Sequence, residues 1–480
     1  RFDQFERAKN GDVDIMIGPR SALFTPFSKL GLIIIDEEHE SSYKSETLPR
    51  YHARETAIER ARMCGASVVL GSATPSVESY YKAKTGEYEL LELKHRVAEK
   101  PLPKVEVVDL REELKAGNRS ILSVQLQELM EDRLKKGQQM MLFINRRGVA
   151  GFVSCRACGH VLKCPHCDVS LSQHVTRQHP EGKMVCHYCG YEIPMPKTCP
   201  ACGSRYISGF KAGTQKIEMI VKERFPQARV LRMDMDTTRN KEGYEQILSA
   251  FANQEADILI GTQMIVKGHD FPNVTLVGVL AADLSLYVSD YHAAAMLKLP
   301  DYRSAERTFQ LLTQAAGRAG RGSEPGEVVI QTYRPDHYSV QTAKEQDYEA
   351  FYEQEMEYRR MLLYPPVWNM LVILCASKQE QTAYDSAKLL VQEIDTWQEN
   401  IKAAMERVGE DFKKKRVFPV GPADPAVAKV NDIYKKVIYI KTKDYQTLVE
   451  LKDRLEHYMR DNKAFKDTVV QFDFNPMSGF

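Results

Sequence analysis

"LGLIIIDEEHESSYK", Leu30 to Lys44, is the stretch on which the fold turns. Its apolar run, Leu32 to Ile35, reads as a short buried strand that stops abruptly at Asp36, Glu37, Glu38 and His39. A hydrophobic strand ending in two acids is the pattern of a Mg²⁺-holding segment, in which Asp36 would hold the ion, mostly through water, and Glu37 would polarise an attacking water. Taken alone the stretch reads equally as an acidic turn after a core strand. Its neighbours decide between the two.

Outward from this strand, residues 1–100 alternate strand and helix signals. "VDIMIG" (Val13–Gly18) and "GLIIID" read as short strands, "RYHARETAIERARMCG" as a helix closed by Gly65, and "ASVVLGSATPS" as a strand running into a small-residue turn. Such alternation predicts a parallel α/β sheet. After the proline-marked linker around "EKPLPKVEVVD" the alternation starts again, with a helix, a glycine stop and a strand in "SVQLQELMEDRLKKGQQMMLFINRRG". It is interrupted by a cysteine-rich segment and resumes in "GTQKIEMIVKERFPQARVLRMD", "ADILIGTQMIVKG" and "VTLVGVLAAD". Beyond about Tyr333 the character changes. A long charged helix runs from Lys344 to a stop at Pro365 and Pro366, and three strands and two helices then predict a small α+β domain. The expected division is therefore 1–100 for one lobe, 101–154 with 203–340 for a second, 155–202 for an insertion, and 341–480 for the C-terminal α+β domain.

Composition is that of an ordinary globular protein, 43% apolar and 27% charged, with a net charge of +1. No apolar run is long enough to span a membrane. The near-zero charge excludes a global basic field, so any nucleic-acid contact must come from local patches.

Eight of the ten cysteines lie in four CxxC pairs: Cys155/Cys158, Cys164/Cys167, Cys186/Cys189 and Cys199/Cys202. Each pair can aim two thiolates at one tetrahedral ion, so eight make two closed four-sulfur sites, structural rather than hydrolytic. Disulfides or four tandem redox pairs fit a cytosolic-looking chain less well. Gly159, Gly190 and Gly203 each follow a second cysteine, where a knuckle turn needs them. With eight thiolates at hand, His160, His166, His174, His179 and His187 are expected at the surface, and the lone Cys64 and Cys375 are expected to be buried packing.

Three further motifs stand in order along the chain. "GSATPS" (Gly71–Ser76) follows a strand with small hydroxylic residues, "GTQMIVKGHDF" follows another, and "QAAGRAGR" places Arg318 and Arg321 three apart, as if on one helix face. Two guanidinium groups so spaced suit the charge developing on a triphosphate. With "GPRSALFTPF", "DEEHESSYK", "RYHARE", "LFINRRG", "GTQKIE", "LRMDMDTT", "LPDYRSAERTFQLLTQAAGRAGR" and "YPP", this ordered set resembles the superfamily 2 DExH helicases. With the cysteine insertion it closely resembles the bacterial replication-restart helicases over essentially the whole chain.

That resemblance implies two RecA-like helicase lobes, the first incomplete, with an inserted two-zinc module and a C-terminal α+β domain. It implies an ATP-dependent 3′-to-5′ DNA helicase that remodels stalled or branched forks and promotes primosome assembly. It assigns Asp36 and Glu37 to Mg²⁺ and water, His39 to coupling with the other lobe, and Gln314, Arg318 and Arg321 to the γ-phosphate. It pairs the cysteines in nested fashion, first pair with fourth and second with third. It places Arg20 and Ser21 near DNA phosphate, and makes Tyr43, Tyr51 and His52 part of an aromatic loop linking single-strand binding to ATP turnover. Base stacking gives the loop a physical reason, while packing of both tyrosines on their own lobe is the alternative. The implied partners are forked and single-stranded DNA, the single-stranded-DNA-binding protein, and primosome and replicative-helicase loading proteins in the cytoplasm.

No GxxxxGK[ST] occurs in these 480 residues. A phosphate chain needs a cradle of backbone amides and a lysine, so the phosphate loop and the family's DNA-binding domains are expected before Arg1. The chain by itself is expected to bind ATP poorly, and its first lobe to expose a strand edge. The competing reading is a zinc-containing nucleic-acid adaptor with an inactive helicase core. The run Lys413–Arg416 is open between a solvated surface and a DNA or partner contact.

Overall fold

Branched side chains crowd a helix and fit a pleat, and two apolar runs in the first hundred residues form strands accordingly: Leu32–Ile35 (β1) and Ser67–Leu70 (β2). They pair in parallel, Leu32 opposite Ser67 and Ile35 opposite Leu70. The computed structural model describes residues 2–45, 47, 50–93, 101–144, 153–155, 162–167, 171–174, 182–186, 189–205, 207–209, 214–234, 237–238, 241–266, 271–280, 282, 301–409, 411–425 and 427–477. They fall into two units, Arg1–Glu92 and Leu93–Phe480.

In the first unit the strands are accompanied by helices Phe2–Asn10 (α1), Ala53–Cys64 (α2) and Val77–Lys84 (α3). His52 accepts the Arg54 N–H at the start of α2, and Gly65 ends it in the left-handed region at φ 67°. Among the described residues this sheet has two strands, and Leu32, Ile34 and Val69 on it are exposed, in keeping with an incomplete sheet. Three expectations fail here. Leu32–Ile35 is a strand but not a buried one, since only Ile35 is shielded and the sheet has one described neighbour for it. Val13–Gly18 is not a strand: no described strand pairs with it, and Ile15 and Ile17 stand in solvent. Cys64 is exposed rather than buried: it continues the face of Ala57 and Ala61, but it is the last residue of α2, and that face is covered only as far as Ala61.

The second unit is built on a six-stranded parallel sheet. Its strands are Lys104–Asp109 (β3), Gln139–Ile144 (β4), Val230–Met233 (β10), Ile258–Gly261 (β11), Val274–Leu280 (β12) and Glu327–Thr332 (β13). Their spatial order is β10-β11-β4-β12-β13-β3. Strands β4, β11 and β12 are buried at every residue, as continuous apolar runs in a doubly covered parallel sheet must be. Helices Leu110–Lys115 (α4), Val124–Lys135 (α5), Thr214–Arg224 (α6), Lys241–Ala252 (α7) and Gln263–Val266 (α8) connect them. Between β4 and α6 the chain leaves the sheet. Val153–Cys155 (β5) and Ile207–Gly209 (β9) form an antiparallel stem, and Ser172–His174 (β6), Lys183–Val185 (β7) and Glu192–Pro194 (β8) form a small antiparallel sheet. The cysteine segment is thus an insertion in a loop of this sheet.

Helix Ser304–Ala316 (α9) precedes β13, and Tyr338–Glu345 (α10) and Tyr348–Met361 (α11) follow it. The expected long charged helix is α11, which starts at Tyr348 and not at Lys344: Gln346 turns the chain at φ 55° after α10, and Asp347 caps α11 by accepting the Ala350 N–H. The C-terminal domain has the expected α+β character. Asn369–Ser377 (β14), Phe418–Ala423 (β15), Lys429–Val430 (β16), Ile433–Thr442 (β17) and Val469–Phe474 (β18) form an antiparallel sheet backed by Glu380–Val408 (α12) and Tyr445–Asp461 (α13). Cys375 on β14 is buried as expected, and burial pushes its thiol up to about 12. No helix among the described residues is long and apolar enough to cross a membrane.

Gly278 in β12 is closely packed within the core of the six-stranded sheet. A Cβ there would stand 2.8 Å from Leu142 Cδ2 and 3.0 Å from both Leu126 methyls. We expect Leu126→Ala to cost about 2–5 kcal/mol and Gly278→Ala about 1–3 kcal/mol. The double variant should cost less than the sum, because the vacated volume admits the new methyl. Hydrogen exchange of β4 and β12 against urea measures this; strict additivity would show that the two residues do not share that space.

Candidate functional site

The turn after β1 is laced to the turn after β2. Glu38 N–H donates to Gly71 O at 3.0 Å, and Gly71 N–H to Ile35 O at 2.8 Å. Glu37 sits at φ 47°, a left-handed conformation that costs a non-glycine residue of order 1 kcal/mol. Asp36 is exposed and Glu37 half-buried, with one Glu37 oxygen 3.6 Å from His39 Nδ1. His39 is buried and its Nδ1 lies 2.7 Å from Ser72 Oγ, which also accepts the Thr74 N–H. His39 therefore joins the DEEH turn to the Gly71–Ser76 turn within one unit.

The third acid has a separate role that the sequence did not reveal. Glu38 is 1% exposed. One oxygen accepts the Ser76 N–H at 2.6 Å, and the other accepts Arg54 Nη1 at 2.8 Å and the hydroxyls of Ser76 and Ser79. Burial disfavours the Arg54 charge, but the carboxylates of Glu38, Glu55 and Glu78 reverse this and hold it more firmly protonated than usual. Glu38 and Arg54 thus fasten β1, α2 and the N-terminus of α3 together. The sequence signal was there, as an arginine inside "RYHARE" and a third acid beside the first two.

The proposed DNA-contact residues gather beside this turn. Arg20 donates to the carbonyls of Ser42 and Lys44, and its guanidinium lies 5.4 Å from the Tyr51 ring centre. Tyr51 also meets Phe24 edge-on at 5.3 Å. Tyr43 donates to Asp36 O at 2.8 Å, and burial, then Asp36, Glu40 and Glu37, push its hydroxyl pKa up. Ser21 lies in the turn Arg20–Phe24, and His52 caps α2. The packing alternative for the two tyrosines is thus partly realised, yet Tyr43 touches the backbone of Asp36 itself.

In the second unit Gln314 is half-buried on α9, but Arg318 and Arg321 are not on a helix face. The helix ends at Ala316. Gly320, at φ 70°, donates its N–H to Val274 O, and a Cβ there would stand 2.4 Å from Gly326 N. Gly322 packs as tightly on Pro272 O. These backbone approaches draw the chain off the helix, so the arginines leave from a turn, with Arg321 Nε donating to Gly317 O at 2.9 Å. The base of α9 is anchored by buried charge: Arg359, 0% exposed, donates to Glu306 and to Glu355, each at 2.7 Å. In the basic run, Lys415 pairs with Glu450 at 2.8 Å.

The sulfurs of Cys164, Cys167, Cys186 and Cys189 all lie within 4.8 Å of one another, with Cys164 and Cys189 at 3.5 Å. A tetrahedral zinc tetrathiolate needs sulfurs about 3.7 Å apart, so the donor set fits. It joins the second CxxC pair to the third. Burial pushes the Cys164 and Cys167 thiols up, the latter to about 12, so a divalent cation is what would draw their protons off. The knuckle repeats at the fourth pair: Gly190 and Gly203 donate back to Cys186 O and Cys199 O, at φ 74° and 71°. Cys199 is buried and Cys202 exposed. Cys155 is described in its backbone alone, and Cys158, His160, His179 and His187 lie outside the described residues, as does the side chain of His174. His166 is half-buried, bonded to Asp432 rather than free at the surface.

Residues 206–323 match the helicase conserved C-terminal domain family, and residues 164–194 match the PriA DNA helicase Cys-rich region. The replication restart protein PriA of Bacillus subtilis (strain 168) is 47% identical over 477 residues, 99% of this chain and 55% of that protein. That of Chlamydia pneumoniae is 38% identical over 99% of this chain and 60% of its own length. That of Borreliella burgdorferi is 32% identical over 99% and 66%. The chain therefore spans between about half and two thirds of the length of these relatives. Solved structures of S. cerevisiae Dbp5 bound to RNA and ADP BeF3 and of RecG bound to a three-way DNA junction align at 12% identity. Each covers 75% of this chain, with 67% and 37% of their own chains and TM-scores of 0.33 and 0.32, too low to carry an argument.

Removing one partner of a buried ion pair strands the other charge, a cost of about 3–5 kcal/mol. Glu38→Ala should therefore loosen the first unit far more than Asp36→Ala, whose side chain is exposed. Limited proteolysis and hydrogen exchange over residues 50–80 read this out; equal protection in the two variants would mean that Glu38 does not fasten the turn.

Proposed function

We propose, for a chain that belongs to the PriA replication restart family over nearly its whole length, that it carries catalytic parts of an ATP-dependent 3′-to-5′ DNA helicase that remodels stalled or branched forks and promotes primosome assembly. The observation that supports it best is the Asp36–Glu37 pair at the end of a parallel strand, held by Glu38 and His39 to the Gly71–Ser76 turn. A bound Mg²⁺ would neutralise phosphate charge and fix the geometry of the triphosphate. Asp36 is the residue to hold it, through water, and Glu37, with its backbone fixed in a left-handed turn, is the residue to orient the attacking water. Gln314, Arg318 and Arg321 would meet the γ-phosphate, the arginines stabilising charge as it develops.

Hydrolysis would be coupled to DNA through the aromatic loop. Tyr43 bonds the Asp36 carbonyl, so a base stacking beside Tyr43 or Tyr51 would bear on the turn that positions the acids. His39 would pass changes in that turn on to the Gly71–Ser76 turn and, by family resemblance, to the other lobe. Arg20 and Ser21 are the nearest groups for a phosphate. The cysteine module would hold two zinc ions, one on Cys164, Cys167, Cys186 and Cys189 and one on Cys155, Cys158, Cys199 and Cys202. Single-stranded and forked DNA, the single-stranded-DNA-binding protein and helicase-loading proteins of the cytoplasm are the proposed partners.

In a protein that joins this chain to a phosphate loop, Glu37→Gln or Arg318→Ala should lower DNA-stimulated ATP turnover at least about a hundredfold, with DNA binding retained. Stimulated turnover surviving in both variants would overturn the site assignment, and no turnover in the parent protein would leave the adaptor reading in its place. Plasma mass spectrometry should find two zinc ions per chain; one ion would mean that the outer set does not form.

A further inference from the structure

The turn between β16 and β17 has an unexpected neighbour. Val430 pairs with Ile433, leaving Asn431 and Asp432 as a two-residue hairpin tip, at φ 51° and 57°. Both angles are positive, as a type I′ turn demands and as Asn and Asp tolerate. This tip sits on the Cys164–Cys167 knuckle. Asn431 N–H donates to Cys167 Sγ at 3.3 Å, and Asp432 N–H donates to His166 O at 2.9 Å. Asp432 Oδ2 lies 2.7 Å from His166 Nδ1. Lys429 donates to Pro165 O at 3.1 Å and pairs with Asp432 Oδ1 at 3.0 Å. Val430 packs against the buried cluster that holds Leu162, Cys164 and Met184.

This is more than surface packing. A divalent ion on four thiolates leaves a net charge of about −2, and Cys167 is 2% exposed, so little water reaches that sulfur. Buried charge is tolerated when donors and counter-charges meet it. The hairpin brings one backbone donor to the sulfur and one ammonium to the carbonyl two residues before it.

We propose that the Lys429–Asp432 hairpin of the C-terminal domain is an outer part of the inner zinc centre, with Lys429 and Asp432 as positioning residues that hold Asn431 N–H on Cys167. The coupling is reciprocal: the ion stiffens the knuckle, and the knuckle holds the hairpin. Zinc loading therefore fastens the C-terminal domain to a module inserted far upstream in the chain. The inference rests on reading these four cysteines as a zinc site.

The test uses the chain with Lys429→Ala/Asp432→Gly, since glycine keeps the positive φ at the turn. Zinc content is measured first, and transfer of zinc to 4-(2-pyridylazo)resorcinol is then followed in time. Outer-shell losses cost about 10–100-fold in metal affinity, so one ion should leave at least about tenfold faster while any second ion keeps its rate. Asp432→Asn, which can still bond His166 and tolerates the turn, should restore most of the retention. In reverse, Cys186→Ser/Cys189→Ser should raise hydrogen exchange over Lys429–Ile433 while β14 stays protected. Wild-type protein without zinc would defeat the zinc reading and the inference with it. Zinc present, with unchanged release in the hairpin variant and unchanged exchange in the cysteine variant, would overturn the inference alone.

Discussion

A strand buried on both faces can carry no charge along its length, so polar chemistry collects where the strand ends. The fully buried strands β4, β11 and β12 carry no charge along their length, and polar or small residues collect at the ends of other parallel strands as well. β1 ends in Asp36, β2 in Gly71 and Ser72, β3 in Asp109, β10 in Asp234, and β11 in Gly261 and Thr262. Parallel strands bring such ends to one edge of their sheet, which is why open α/β sheets bind ligands there. The glycines follow from the same constraint. At Gly261 a Cβ would stand 2.8 Å from Met233 O, so the chain can turn at the edge only without a side chain. The DEEH turn, the Gly71–Ser76 turn and the glycines around Arg318 are each a solution to the problem of leaving a crowded sheet edge with functional groups in place.

What holds those turns is buried charge. Glu38 with Arg54 in the first unit, and Glu306 and Glu355 with Arg359 in the second, each tie a motif-bearing turn or helix to a neighbouring helix. Apolar packing could supply similar stability, and a buried ion pair exchanged for well-packed side chains is often neutral or better. Apolar contacts slide, however, whereas a charged hydrogen bond from a guanidinium nitrogen to a carboxylate oxygen is directional. At the end of β1, Asp36 stays exposed and Glu37 half-buried while Glu38, the next residue, is pulled inward. Glu37 at φ 47° is the hinge of that divergence, and the strain there is offset by the four donors that meet Glu38.

Much of this was legible in the sequence, for local reasons. Leu32–Ile35, Ser67–Leu70 and the runs forming β4, β11 and β12 read correctly because their apolar character is continuous and their ends are marked. Val13–Gly18 looked alike and is no strand among the described residues, since a strand is made by its neighbour and no pattern within six residues encodes that neighbour. Arg318 and Arg321 were misplaced on a helix because spacing alone decides a helix face, while the backbone approach of Gly320 to Gly326 that ends the helix is a tertiary fact. Glu38 was visible as an acid, but its burial depends on Arg54, Ser76 and Ser79, each of which could equally be solvated. Cys64 was misjudged because the face it shares with Ala57 and Ala61 is no longer covered at the last turn of α2, which what packs there decides and the local sequence does not. The inner four-sulfur set follows the nested pairing implied by family resemblance, which CxxC spacing leaves open.

The insertion shows a further consequence of topology. It leaves the parallel sheet through a stem of two three-residue strands, β5 and β9. A stem that short fixes where a module is attached and says little about how it is aimed, because two strands twist and bend readily about their common axis. Orientation needs a second point of support away from the stem. The hairpin tip at Asn431 and Asp432 supplies one, at the knuckle of Cys164–Cys167, with four hydrogen bonds confined to Lys429–Asp432 on one side and Pro165–Cys167 on the other. The support rests on the buried part of a module whose small core is mainly sulfur and a few apolar side chains. A contact aimed at a metal knuckle is stiff only while the knuckle is, so the second point of support for the module and the integrity of its inner metal site become one property.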